Sequence, residues 1–176
     1  DRVAEMLKTP DNDYTRDLRW RKATNYQAMG RDWEAYWGFM GLVTDYPKAD
    51  KDRRESYMYA TFVQAEKIGK RDAAREIADR YLQNPEFEKY AYEVGIRLAA
   101  IYKDLAEKSK LQSETAETPP EAEFFRSESN ASFDEMWLLC TKLIDQKPKD
   151  KLANHVAFMM GSGWIARGEE KFPELI

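Results

Sequence analysis

One pattern recurs along this chain and constrains its fold more than any other feature. A small residue and an aromatic residue lie one helical turn apart, and a glycine, an alanine, an aromatic residue and a proline follow in that order. The clearest copy consists of Ala23, Tyr26, Gly30, Ala35, Phe39, Leu42 and Pro47. Two further copies follow, and a fourth is cut off. Because the apolar positions recur every three or four residues, each copy predicts a pair of helices.

Glycine and proline predict where the first pair of helices ends. The first helix is expected over about 15–29, and Gly30 follows it where a left-handed C-cap is needed. The second helix is expected over about 32–45, and Pro47 ends it because the residue before a proline resists the α conformation. The bulk of this second helix is expected from Trp33, Tyr36, Trp37, Phe39 and Met40.

The second copy repeats these signals with a longer turn before it. A helix is predicted over about 54–68, with Gly69 as its turn glycine. Ala74 and Ala78 lie on the packing side of the next helix, which closes before Pro85. This spacing predicts a second helical hairpin like the first.

The third copy contains a stretch of different composition. A helix is predicted over about 87–108, where Leu98, Ala99 and Tyr102 fit the pattern. Residues 109–132 are rich in Ser, Thr, Glu and Pro, which predicts a surface loop or a disordered insertion. The second helix of this copy is expected to resume near Phe133 and to end near Pro148.

Both ends of the chain fall inside a copy of the pattern. Residues 1–14 match the end of a preceding helix and a linker, and the fourth copy begins near residue 151. Met160, Gly161, Trp164 and Gly168 fit that copy, but Pro173 stands where a small residue belongs. These ends predict either a segment of a longer array or worn capping repeats.

The pattern resembles the tetratricopeptide (TPR) repeat, in which two antiparallel helices stack on their neighbours. The resemblance implies an all-α fold and a right-handed α-solenoid of about three to four helical hairpins in a single domain, 1–176. The implied repeats are 15–50, 51–86, 87–150, split by the insertion 109–132, and a partial repeat 151–176. It also implies a close helix crossing at Ala35, while Arg19 and Lys22 replace the usual tryptophan and leucine.

In TPR arrays the first helix of each repeat lines a concave groove, so the resemblance implies a set of binding residues. The implied groove residues are Trp20, Thr24, Gln27, Tyr59, Val63, Glu66, Ile96, Ala100, Lys103, His155, Phe158 and Ser162. The lysine and asparagine that clamp a carboxylate in some TPR domains are replaced by Trp20 and Thr24. The resemblance therefore implies a non-catalytic scaffold that binds a partner peptide or helix through an apolar and aromatic groove.

Charge and hydropathy limit the other classes of partner. The 28 basic and 32 acidic residues leave a net charge of −4, which gives no bulk attraction for nucleic acid. No apolar run approaches the ~18 residues that a membrane-spanning helix needs. The expected partner is another protein or a second copy of the chain, and no small-molecule substrate is expected.

The sequence offers little chemistry for catalysis. It contains no phosphate-binding glycine loop, no dinucleotide fingerprint, no HExxH and no Cys-x2-Cys spacing. His155 is the only histidine, and no further histidine or cysteine cluster completes a metal site around it. Cys140 lies in an apolar run and is expected to be a buried small side chain. No catalytic residue, metal or cofactor is therefore predicted, and the chain is not expected to be an enzyme.

The compartment and the biological role stay open between alternatives. A single cysteine is compatible with the cytosol and with a bacterial periplasm. Tyr46-Pro47 and the lengthened turn after it resemble the TPR units of bacterial envelope lipoproteins, which favours a periplasmic or envelope location and an envelope or motility assembly. The alternatives are a structural subunit of a filament, sheath or ring, and a glycan-binding or helical non-catalytic module of an enzyme.

Overall fold

A computed structural model describes residues 13–147 and 149–167. Within these residues the chain forms seven helices and no strand, which confirms the all-α prediction. The helices are α1 (Asp13–Ala28), α2 (Asp32–Asp45), α3 (Lys51–Lys67), α4 (Arg71–Gln83), α5 (Ala91–Thr115), α6 (Pro119–Gln146) and α7 (Ala153–Arg167). The proposed parts of the sequence pattern at Val3–Pro10, Gly168 and Pro173 lie outside the described residues.

The contacts divide the chain into two compact units, Asp1–Ala91 and Tyr92–Ile176. In the first unit α1 packs on α2, α2 on α3 and α3 on α4. In the second unit α6 packs on α7, and α5 meets α6 where Gly95 faces Leu143. Within each unit, helices adjacent in the sequence thus contact each other, and the solenoid and its repeat boundaries stay predictions.

The two turn glycines have the conformation that the sequence predicted. Gly30 and Gly69 have φ angles of 70° and 73°, in the left-handed region that favours glycine. After Gly30, the Arg31 N–H donates to the Tyr26 carbonyl at 2.9 Å, and the Lys70 N–H donates to Ala65 at the same distance. These bonds satisfy carbonyls at the helix ends and fix the position of the residue after each glycine.

The predicted insertion at 109–132 is wrong, because this stretch is almost entirely helical. Residues 109–115 continue α5, residues 119–132 begin α6, and only 116–118 lie between the two helices. The Thr118 hydroxyl accepts a hydrogen bond from the Glu121 N–H, and prolines occupy the first turn of α6. Proline is well tolerated there because the first-turn N–H groups have no partner within the helix. The residues whose composition suggested a loop thus include those that begin α6. The third pair of helices is therefore not split by an insertion.

Packing also stabilises this stretch as helix. The buried Ser129 hydroxyl donates to the Ala106 carbonyl at 2.8 Å, which ties α6 to α5. Ala106 and Phe133 belong to one core cluster with Met136, Cys140 and Leu143. Apart from the buried Ser129, the polar residues of 107–132 are exposed or half-buried, so the high Ser and Glu content describes the outer sides of two helices rather than a loop.

Two other helix starts differ from prediction by several residues. The α3 helix begins at Lys51 because the Asp50 carboxylate caps it and accepts from the Arg53 N–H at 3.0 Å. The helix predicted from residue 87 begins instead at Ala91. Residues 84–90 form a loop, in which Phe87 is buried.

A close helix crossing in the first unit lies at Gly38. Ala35 is fully buried, as expected of a small residue at a crossing. A Cβ atom at Gly38, however, would lie 2.9 Å from the Ala23 Cβ, closer than side-chain carbons approach each other. Phe39, Leu42 and the rest of the cluster pack around this crossing. The glycine thus allows α1 and α2 to approach within contact distance.

Gly38→Ala and Gly41→Ala should change stability in opposite directions. Both replacements remove a helical glycine, which by itself favours the helix by about 1 kcal/mol. At Gly41 nothing lies within 4 Å of the new Cβ, so this gain is retained. At Gly38 the clash with Ala23 costs about 1–3 kcal/mol and outweighs it. Urea unfolding should therefore show a higher midpoint for Gly41→Ala and a lower one for Gly38→Ala; equal shifts would contradict the crossing.

A buried glutamine gives a second stability test. Gln64 on α3 is fully buried, and neither its amide nitrogen nor its amide oxygen has a hydrogen-bond partner within the described residues. Replacing such a group by an apolar side chain of similar length removes a desolvation cost of about 1–3 kcal/mol. Gln64→Met should therefore raise the melting temperature, while Gln83→Met, at an exposed position on α4, should leave it nearly unchanged. A loss of stability in Gln64→Met would show that the amide is paired.

The loop at 84–90 is held by a buried carboxylate. Glu55 on α3 is 2% exposed and accepts hydrogen bonds from the Tyr81 hydroxyl and, at 2.6 Å, from the Lys89 N–H. The Tyr81 oxygen in turn accepts from the Tyr90 N–H at 3.1 Å. Burial and then the bond to Glu55 raise the pKa of the Tyr81 phenol above its ordinary 10.0.

This network predicts a loss of stability at alkaline pH. Because the Tyr81 pKa is higher in the folded state, its contribution is complete below pH 10 and is lost as the pH rises further. Tyr81→Phe should be less stable than wild type at pH 7, and the difference between the two should shrink above about pH 10. Tyr36, Tyr57 and Cys140, whose pKa values are also raised, are common to both proteins and cancel in the comparison. A difference independent of pH from 8 to 11.5 would contradict this role.

Candidate functional site: an apolar groove between α1 and α2

A groove of about 710 Å³ runs between α1 and α2 of the first unit. Both helices contribute residues along its length. Its lining consists of Leu18, Arg19, Lys22, Ala23, Tyr26, Glu34, Trp37, Gly38 and Gly41. Because the whole groove lies within one hairpin, its shape is set by the packing of α1 on α2.

The walls of the groove are apolar and its floor is made of small residues. Leu18 is 39% exposed and Trp37 is 58% exposed, so both present large apolar surfaces to solvent. Between them lie Ala23, Gly38 and Gly41. Gly41 has nothing within 4 Å of the position that a Cβ would occupy. The floor is therefore open along the backbone of α2, which permits close approach by another chain.

Charged groups border the groove, and most already have partners. Arg19 forms an ion pair with Asp45, and Glu34 forms one with Arg31 at 2.5 Å. Lys22 lies over the Tyr26 ring at 5.7 Å from its centroid. Ion pairs on an exposed rim contribute little to stability but exclude like charges. The groove thus has an apolar centre and a polar border, as protein-binding surfaces do.

The groove follows from an α2 helix that is apolar on two opposite sides. Ala35, Phe39 and Leu42 are buried on one side in the core of the first unit. Trp33 and Trp37 lie two positions away from these, which at 100° per residue places them on the other side of the helix. Both are more than half exposed, so only part of the bulk that the sequence predicted for this helix is buried in the core. Trp33 and Trp37 therefore form a second apolar side of α2 that the core does not cover, and their spacing of four residues was visible in the sequence.

The groove residues implied by the TPR resemblance do not line this groove. In the first unit Trp20 packs on Phe39 and Tyr57, with ring centroids 5.1 and 5.5 Å apart, and Tyr59 stacks on Tyr90 at 3.9 Å. These two rings take part in packing within the unit. Thr24 donates to helix carbonyls, Gln27 is exposed, and Val63 and Glu66 are half-buried.

The second unit contains the other implied residues. Ile96 is buried in the core cluster, so its side chain is not a surface for a partner. Phe158 is 72% exposed, and His155 is exposed beside it on α7. Ala100 packs against the core, Lys103 pairs with Glu107 at 2.7 Å, and the Ser162 hydroxyl donates to the Met159 carbonyl. Among the four large apolar or aromatic residues of the implied groove, Trp20, Tyr59, Ile96 and Phe158, only Phe158 is exposed.

Cys140 is fully buried, as predicted, and burial raises the pKa of its thiol to about 11, so the nucleophilic thiolate is disfavoured. No group of three or more His, Cys, Asp or Glu residues in 13–147 and 149–167 is placed to hold a metal ion.

Over the same residues, no helix has both the length and the apolar character needed to cross a membrane.

A polar cavity of about 370 Å³ in the second unit is lined by Lys110, Arg126 and Arg167 among others. All three cations are already engaged. Lys110 donates to the Ala166 carbonyl, Arg126 pairs with Glu123 at 3.2 Å, and Arg167 pairs with Asp134 at 2.8 Å. Glu114 adds a negative charge to the same lining. The cavity therefore lacks the surplus positive charge of an anion-binding site.

Comparisons with known proteins do not assign this groove a role. No family model, no curated protein and no solved structure matched the chain.

Proposed function

We propose that this chain is a non-catalytic protein-interaction module that binds an apolar helix of a partner protein in the α1–α2 groove. The observation that supports this proposal is that Leu18 and Trp37 form exposed apolar walls of the groove, while Gly41 leaves the floor of the groove uncovered. Large exposed apolar surfaces with a polar border are typical of binding sites on soluble proteins. The helical hairpins and their turn glycines support a TPR-like repeat module with this role.

The packing inside the chain indicates what kind of partner fits. Gly95 on α5 faces the Leu143 side chain, and Gly163 on α7 faces Met136. At each place a large aliphatic side chain of one helix covers a glycine of its neighbour. Gly41 is a helical glycine that nothing covers within 4 Å. A partner helix that carries leucine or methionine at this point would complete the same contact.

Aromatic side chains at the groove favour binding over simple solvation. Tryptophan and tyrosine are enriched among the residues that contribute most to protein interfaces. Trp37 and Tyr26 stand on opposite helices and face the same groove. An amphipathic helix that inserts an apolar stripe between them would bury both rings and leave its polar side in solvent.

Gly41→Leu should block this binding without unfolding the protein. The probe is a fluorescein-labelled designed amphipathic helix with a stripe of leucines spaced three and four residues apart, and binding is followed by fluorescence anisotropy. The new side chain fills the open floor, so the affinity should fall at least about tenfold, which corresponds to about 1.4 kcal/mol. Gly161→Leu is the matched control, because Gly161 on α7 is also a helical glycine with nothing within 4 Å.

Three outcomes would contradict the proposal in different ways. Equal binding to wild type and Gly41→Leu would remove the groove as the binding surface. Equal loss in Gly41→Leu and Gly161→Leu would indicate an effect that is not specific to the groove. Concentration-dependent self-association of wild type that Gly41→Leu abolishes would replace the partner helix by a second copy and favour the structural-subunit alternative.

A further inference from the structure

Three aromatic rings of α2 surround a single cation from the turn between α3 and α4. The Lys70 Nζ lies 5.1 Å from the Trp33 ring centroid and 5.3 Å from those of Tyr36 and Trp37. Residues three and four apart share one side of a helix, which explains why these rings converge. No carboxylate among the described residues forms an ion pair with Lys70. The ammonium group is therefore held by aromatic rings.

The three rings form a cup with a buried base and exposed walls. Tyr36 is 3% exposed, whereas Trp33 and Trp37 are 51% and 58% exposed. The rings of Tyr36 and Trp37 meet edge to face at 5.1 Å, which fixes their relative orientation. Burial and then the nearby Glu76 carboxylate raise the pKa of the Tyr36 phenol, so negative charge lies near the base of the cup. The aromatic faces and this charge favour a cation, and the two tryptophan walls are accessible to solvent.

The turn fixes the backbone of Lys70, whereas the bonds of its side chain can rotate. Gly69 takes the left-handed conformation, and the Lys70 N–H donates to the Ala65 carbonyl. The side chain is a flexible four-carbon stem with a compact charge at its end. It can therefore leave the cup without any change in the fold.

A different cation would suit the cup better than a primary ammonium. The lysine ammonium carries three N–H donors that must give up water, and the face of an aromatic ring is a weaker acceptor than a water oxygen. A quaternary ammonium has no N–H donor, keeps its charge and contacts aromatic faces through its methyl groups. Its hydration is weaker, so it loses less on entering the cup while the attraction to the rings remains.

We infer that the cup of Trp33, Tyr36 and Trp37 is a binding site for an alkylated ammonium group, which displaces Lys70. The group expected is the side chain of a trimethylated lysine in a partner polypeptide, because Trp37 is also a wall of the apolar groove. This choice of a polypeptide source rests on the proposed function, whereas the cup itself does not.

The test is a titration of the full chain with Nα-acetyl-Nε-trimethyl-lysine amide, followed by tryptophan fluorescence. Lys70→Met removes the resident cation and should bind about tenfold more tightly than wild type. Trp33→Leu removes one wall and should bind at least about tenfold more weakly than wild type. Tyr36→Phe keeps the ring and should bind like wild type. The unmethylated lysine derivative should bind at least about tenfold more weakly than the trimethylated one.

The same variants distinguish this site from the groove, and several results would contradict the inference. Trp33 does not line the groove, so Trp33→Leu should still bind the designed helix of the preceding test. In wild type the ε protons of Lys70 should lose their ring-current shift as ligand is added, and this measurement needs no variant. No saturable signal with Lys70→Met, unchanged Lys70 protons, or equal binding of the unmethylated derivative would overturn the inference. Choline binding as tightly as trimethyl-lysine would overturn the polypeptide source and assign the cup to small quaternary ammonium compounds.

Discussion

Close approach of helices at residues with little or no side chain is the constraint on which the described packing depends. Gly38 lies against Ala23, Gly95 against Leu143 and Gly163 against Met136. Each of these three glycines weakens its own helix by about 1 kcal/mol relative to alanine, a loss that the contact at each position offsets. In the first hairpin the contact brings α1 and α2 together over one short stretch, and the bulky aromatic residues lie to either side of it. The core lies on one side of this helix crossing, and the groove lies on the other.

The same constraint explains why one face of α2 is left open. Phe39 and Leu42 fill the side of α2 that belongs to the core cluster. Trp33 and Trp37 cannot enter that cluster, because they lie on the opposite side of the helix and are more than half exposed. Exposed tryptophans cost free energy in water unless something covers them. A chain that retains them beside an uncovered glycine therefore fits a binding surface better than it fits an inert helix face.

Features that a residue sets through its own backbone or its near neighbours could be predicted from the sequence. Features that depend on which helices pack together in the fold could not. Gly30 and Gly69 each dictate a left-handed turn through their own backbone, and α2 has the bounds predicted from the residues around it. The prediction of a loop or disordered insertion over 109–132 was wrong because the polar composition was interpreted as disorder. Thr118 and the two prolines after it form a helix start. The groove was missed because a resemblance assigned the binding face to Trp20 and Tyr59. Whether an aromatic residue faces a core or solvent depends on which neighbour its helix acquires, and periodicity alone does not contain that information.

The groove and the aromatic cup share Trp37, which links the two proposed binding events physically. Its ring lines the groove and also stands 5.3 Å from the Lys70 ammonium. A helix that buries one face of this ring removes water from the surroundings of the other face. Removal of water strengthens the attraction between the ring and a cation, since such contacts are worth more when desolvated. Residues in direct contact give non-additive effects, so the two ligands should bind with positive coupling rather than independently. A partner that carries an apolar helix and an alkylated lysine one or two turns apart would use both surfaces, and its affinity would exceed what either surface provides separately.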